Sequence, residues 1–170
     1  MQPDPQPRGS DGAIAHGLIQ ASDGNFYGTT QISSTTPFYP GVVYQLTPAG
    51  VQTTLYTFCT LTDCADGWDI FTGVVQDNDG NFYGTSYNGG SYNEGTVYKL
   101  TPAGVFTLLH TFAYGTDGAQ PGGLVQAGNG ILFGPSTGTT RLTVTDTVVS
   151  GNACLLYTSA FSRNFWGARL

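Results

Sequence analysis

Few side chains in these 170 residues can do chemistry, and most of those are carboxylates. Asp63, Asp66 and Asp69 fall within one short stretch, and glycoside hydrolysis needs two carboxylates on one site. That stretch sits beside Cys59 and Cys64, however, and reads as a solvated insertion. Asp77-Asn-Asp-Gly-Asn81 places Asp77 and Asp79 at alternate positions, from which carboxylates can converge on calcium. Its earlier counterpart, Ala21-Ser-Asp-Gly-Asn25, lacks the first carboxylate, and no bidentate Glu comes after it. A turn is therefore favoured over calcium, and no other metal or cofactor is expected. His16 and His110 stand near no Ser or Cys nucleophile at a recognisable spacing, so no catalytic residue is assigned. Cys59 and Cys64 suit a local disulfide in an oxidising compartment. Cys59 also fits as a small buried residue, and no second Cys or His pair completes a zinc set.

Aromatic side chains offer a second kind of chemistry. Tyr39, Trp68, Tyr87, Tyr92 and Tyr114, with Phe38, lie among Asn, Ser and Gly. Such rings stack on sugars while neighbouring polar groups hydrogen-bond the hydroxyls. The competing reading makes them caps on the edges of sheets.

The elements that position these groups are legible in the composition. Charged residues make up 9% of the chain, against roughly 25% in ordinary domains. Lys99 and Glu94 are the sole Lys and Glu, so the best surface helix formers are nearly absent. Thr, Val, Tyr and Phe between Gly and Asn turns are strand chemistry. A net charge of −6 argues against nucleic acid and anionic membranes. No apolar run is long enough for a membrane span. Residues 1–20 lack a signal-peptide pattern, and residues 1–8 read as a Pro-rich loop.

The chain also repeats itself. Gly17-Leu-Ile-Gln20 returns as Gly73-Val-Val-Gln76 and as Gly123-Leu-Val-Gln126. Asp23-Gly-Asn-Phe-Tyr-Gly-Thr29 returns as Asp79-Gly-Asn-Phe-Tyr-Gly-Thr85, and loosely as Asn129-Gly-Ile-Leu-Phe-Gly134. Gly41-Val-Val-Tyr-Gln-Leu-Thr-Pro-Ala-Gly50 returns as Gly95-Thr-Val-Tyr-Lys-Leu-Thr-Pro-Ala-Gly104, and Leu55-Tyr-Thr-Phe58 as Leu109-His-Thr-Phe112. Each block reads as a strand, so a unit has four. Asp-Gly joins the first strand to the second, where positive φ is tolerated. Thr-Pro-Ala-Gly joins the third to the fourth. Strict alternation would place Phe106, Leu108, His110 and Phe112 on one face. An Asp-Gly pair also recurs between units, at Asp11, Asp66 and Asp117, as expected of a structural turn.

Four short strands per unit predict an all-β, β-propeller-like fold of about two and a half antiparallel blades. The units span about 9–58, 66–112 and 117–149, the last partial, within a repeat domain of 9–149. A closed propeller typically has four to eight blades, so the chain reads as a piece of a larger one. The tail, 150–170, matches no repeat block. Its Cys154-Leu-Leu-Tyr-Thr-Ser159 stretch looks like translated adaptor sequence, foreign to the repeat.

At these motifs the sequence resembles the bacterial Gloeo-Verruco (GloVer) tandem-repeat family, over about residues 9–135. The resemblance implies a secreted or cell-surface protein with many copies of the unit and no assigned activity. It carries over no catalytic residue. The variable loops on this scaffold are the expected binding face, for carbohydrate or protein. Further repeats of the same parent chain are the other expected partners. The alternatives are a purely structural surface array, or part of a polysaccharide lyase or hydrolase whose active site lies outside this segment.

Overall fold

The structure, a computed structural model, describes residues 13–32, 40–114, 118–126, 131–137, 147–149, 152–154 and 165–169. Within them the chain is all-β, with one short 3₁₀ turn at Thr62–Cys64. The first unit forms a four-stranded antiparallel sheet from β1 (Ala13–Gln20), β2 (Phe26–Ile32), β3 (Val42–Leu46) and β4 (Gln52–Thr57). The second repeats it with β5 (Val75–Gln76), β6 (Phe82–Ser86), β7 (Thr96–Leu100) and β8 (Phe106–Thr111). The third sheet holds β9 (Val125–Gln126) and β10 (Ile131–Pro135). A small hairpin pairs β11 (Thr147–Val149) with β12 (Asn152–Cys154). The last strand, β13 (Phe165–Arg169), pairs antiparallel with β10 and so takes the place of a third strand in the third sheet. The sheets are blade-like, and the described strands do not close into a ring.

The hairpins explain the most closely repeated motif of the chain. Asp23 Oδ1 accepts the Asn25 N–H at 3.0 Å, and its Oδ2 accepts Asn25 Nδ2 at 2.9 Å and the Tyr27 hydroxyl at 2.8 Å. Asp79 repeats the set with Asn81 and Tyr83 at 2.9, 2.7 and 2.8 Å. One carboxylate thus closes the turn and ties it to the second strand. Burial by itself raises both carboxyl pKa values, but the hydrogen bonds from Asn and Tyr outweigh it and hold both below 3.8.

Gly28 and Gly84 are paired in register with Tyr44 and Tyr98. A Cβ at either glycine would lie 2.5 or 2.4 Å from the tyrosine hydroxyl oxygen, so the ring occupies the missing side chain's space. In the third sheet Gly134 pairs in register with Trp166 of the tail strand.

The faces of β8 differ from simple alternation. The register shifts after Val97, so that Val97 pairs with His110 while Tyr98 pairs with Leu108. Leu109 is the extra residue of a bulge, which reverses the sidedness of the residues after it. Phe106 accordingly packs back against the first unit and Phe112 forward against the third. The expectation that they share a face is corrected by this bulge, and β4 carries the same irregularity at Leu55.

Two cores glue the sheets together. Between the first and second lie Tyr27, Val43 and Phe58 from one side and Val74, Phe82, Tyr98 and Leu100 from the other. Tyr27 and Phe82 are 4.0 Å apart between ring centroids, and Tyr56 stacks on Phe106 at 4.3 Å. Burying each such ring contributes roughly 1.5–3 kcal/mol, so a blade is held mainly by its neighbour. Between the second and third, Tyr83, Val97 and Phe112 meet Leu124 and Leu132.

Polar clips repeat at the same joints. Thr29 Oγ1 donates to Thr72 O at 2.7 Å, and Thr85 Oγ1 to Gly122 O at 3.0 Å. Ser22 N donates to Gln76 Oε1 at 2.8 Å. Gly17 and Gly73 touch backbone to backbone, since a Cβ on Gly73 would lie 2.9 Å from Gly17 Cα.

Candidate functional site

In the second and third blades, the described long loops are bound to one another. Trp68, in the connection between units, forms a two-residue bridge with Asn88, in the loop between β6 and β7. Their N–H groups donate to each other's carbonyls at 3.0 and 3.2 Å. Ala119 and Thr137 repeat the bridge one blade on. These variable segments therefore form one surface on a rigid frame.

The connection between the first two units is shaped from within by Asp66. Its buried carboxylate accepts the Tyr56 hydroxyl at 2.8 Å, Thr60 N at 3.0 Å, Thr60 Oγ1 at 2.9 Å and Leu61 N at 3.3 Å. Burial, then the hydrogen bond to Asp66, pushes the Tyr56 hydroxyl up to about 12. Gly67 comes next at φ +101°, where its missing Cβ admits Ser86. The recurrent Asp-Gly pair is a structural turn at this copy; Asp11, Gly12 and Asp117 lie outside the described residues. Cys59 and Cys64 are joined by a disulfide that closes the same loop.

The loop leaves an open cleft of about 470 Å³ lined by Cys59, Leu61, Asp63, Cys64, Trp68 and Asn93. Trp68 Nε1 donates to Asn93 Oδ1 at 3.0 Å, and the same oxygen accepts Gly89 N at 3.0 Å. The indole is thus held by a side chain that is itself anchored. Asp63 and Asn93 sit at φ +55° and +59°, in the left-handed region typical of turns. The cleft offers an aromatic ring, an apolar wall at Leu61, a carboxylate and an amide.

The sequence-derived aromatics separate into different roles. Trp68 lines the cleft, and Tyr92, the chain neighbour of Asn93, is 63% exposed. Tyr87 is half-buried; its hydroxyl donates to Gln120 Oε1 at 3.0 Å and its ring meets Phe71 edge-on at 5.2 Å. It fastens the second blade to the third. Tyr114 is exposed at the next junction and is not among the residues that line this cleft. Tyr39 and Phe38 lie outside the described residues. Leu61 and Asn93 carry no sequence signal that marks them as lining residues, and Asp63 stands out in sequence only as one of a carboxylate cluster that reads as solvated. The Gly and Asn signals around Asn93 mark a turn but do not reveal its partner.

The three clustered aspartates also have separate partners. Asp69 Oδ1 accepts Gln31 Nε2 at 3.0 Å and its Oδ2 accepts Asn88 Nδ2 at 3.1 Å, across the first blade joint. Asp63 alone of the three lines the cleft. Asp77 is buried and contacts Gln126 Nε2, while Asp79 closes its hairpin. Among the described residues no group of three or more His, Cys, Asp and Glu side chains converges as a metal site, and no helix is long and apolar enough to cross a membrane. His16 Nε2 lies 3.3 Å from Gln31 Oε1, and His110 meets Phe112 edge-on at 4.8 Å, as Tyr56 meets Phe58.

No curated protein matches the chain, and no solved structure does. The sequence profile of the Gloeobacter/Verrucomicrobia repeat matches residues 6–145, the span that holds both complete blades, their hairpin carboxylates and their joints. By that match the chain belongs to the Gloeobacter/Verrucomicrobia repeat family.

Proposed function

We propose that this chain is an extracytoplasmic repeat scaffold that binds carbohydrate in the Trp68 cleft. The observation that carries the reading is the indole held by Asn93 beside Leu61 and Asp63. A flat ring stacks on a sugar's C–H face, while a carboxylate accepts its hydroxyls. A disulfide in the adjoining loop suits an oxidising compartment. On this reading, further units of the same repeat are partners through blade stacking alone.

The test is binding to a glycan array and to insoluble cellulose, chitin and xylan. Retention on at least one glycan is expected, with loss on Trp68→Ala and no loss on Tyr114→Ala. A purely structural array is the second reading, favoured by the engagement of Tyr87 in a blade joint. It predicts no retention on any glycan.

A further inference from the structure

On the carbohydrate reading above, on which this step rests, we propose that the Trp68 cleft selects sugars bearing a protonated amine, such as glucosamine units, over neutral and acidic ones. Charge is divided between the two ends of the blades. Among the described residues the only Lys and Arg are Lys99 and Arg169. Lys99 lies late in β7, and its charge acts on Asp79 in the hairpin. Arg169 pairs in register with Ile131, the first residue of β10, which follows the equivalent hairpin of the third sheet. Both cationic residues therefore stand at the hairpin end, away from the long loops.

The loop end holds Asp63, Asp66, Asp69 and Glu94, in the two segments that build the cleft. Asp69 and Glu94 are the chain neighbours of Trp68 and Asn93. Asp66 and Asp69 accept hydrogen bonds, but from neutral donors: hydroxyls, backbone N–H groups and the amides of Gln31 and Asn88. Such bonds fasten the carboxylates without cancelling their charge.

Asp63 stands on the cleft wall and is exposed, and its carboxylate has no hydrogen-bond partner among the described residues. The indole of Trp68 adds a second attraction, since its electron-rich face draws an ammonium group. Leu61 and the ring meanwhile meet the apolar C–H face of a sugar. An amine on that sugar satisfies the carboxylate, the indole and the surrounding charge together. An N-acetyl group on the same nitrogen carries no charge. A uronic acid brings a second negative charge to a negative surface.

Isothermal titration of the full chain with tetramers of glucosamine, N-acetylglucosamine and galacturonic acid tests this, in mildly acid buffer where the amine is protonated. At low salt the glucosamine tetramer should bind about fivefold to tenfold tighter than the acetylated one, with the uronic tetramer weakest. The gap should narrow as added salt screens the charges. Asp63→Asn should cut it to about twofold. Asn tolerates the positive φ of that position, so the variant keeps the loop. Equal affinity of the parent chain for the first two tetramers overturns the proposal and leaves the carbohydrate reading intact, whereas binding of no tetramer overturns both. A preference untouched by salt and by Asp63→Asn overturns it too. Tetralysine bound as tightly as the glucosamine tetramer would overturn it in favour of basic peptides.

Discussion

Tyr27 and Tyr98 share the core between the first two sheets, yet their hydroxyls differ in environment. Tyr27 donates to Asp23 and accepts Gln45 Nε2 at 2.7 Å. Tyr98 is completely buried, and its hydroxyl has no partner among the described residues. A buried hydroxyl without a partner costs about 1–3 kcal/mol of desolvation. Tyr98→Phe should therefore leave stability unchanged or raise it by about 1 kcal/mol. Tyr27→Phe should lower it by about 1–2 kcal/mol. Urea unfolding of both variants decides the matter, and equal losses would contradict the assignment. The hairpin aspartates make a further residue-scale prediction. Their folded pKa lies below 3.8, so the unfolded chain takes up their protons first on acidification. Their contribution is complete above about pH 4 and is lost as pH falls through the folded value. Asp23→Asn with Asp79→Asn should flatten the melting temperature's acid limb below pH 4.

At the scale of the element, strands depend on close approaches that only glycine allows. Gly73→Ala would place a methyl 2.9 Å from Gly17 Cα. Overpacking of that kind typically costs about 1–3 kcal/mol, so the melting temperature should drop clearly by differential scanning calorimetry. Opening the Cys59–Cys64 link releases a loop whose closure is worth about 2 kcal/mol in the chain-entropy account. The cleft wall is that loop, so reduction should weaken glycan binding more than it disturbs far-UV circular dichroism. Much of this level is legible in sequence because its causes are local. Asp23-Gly-Asn25 contains its own hairpin hydrogen bonds, and Thr-Pro-Ala-Gly its own turn. The bulge at Leu109 is not legible, since alternation gives no sign of which residue is left over. Tyr87 reads as a ligand group in sequence because its partner, Gln120, comes from another blade.

For the whole molecule, neighbouring blades supply most of the burial, and repetition makes the architecture readable. The third sheet shows where that reading stops. Its third strand is Phe165–Arg169, about thirty residues beyond β10 and without the repeat's pattern, and a non-local pairing leaves no local trace. The cleft shows the same limit from the other side. Trp68 stands out as an exposed-type aromatic, but Leu61, Asp63 and Asn93 join it only when two loops meet across the Trp68–Asn88 bridge.

Repeated residues thus form the frame, and unrepeated loop residues line the cleft in which carbohydrate binding is proposed. Isothermal titration with a glycan retained on the array, run beside thermal melts of Trp68→Ala and Asp23→Asn, tests that division. Trp68→Ala should abolish binding with an unchanged melting temperature. Asp23→Asn should lower the melting temperature and keep the affinity. Undiminished binding by Trp68→Ala, or loss of affinity in a folded Asp23→Asn variant, would contradict it.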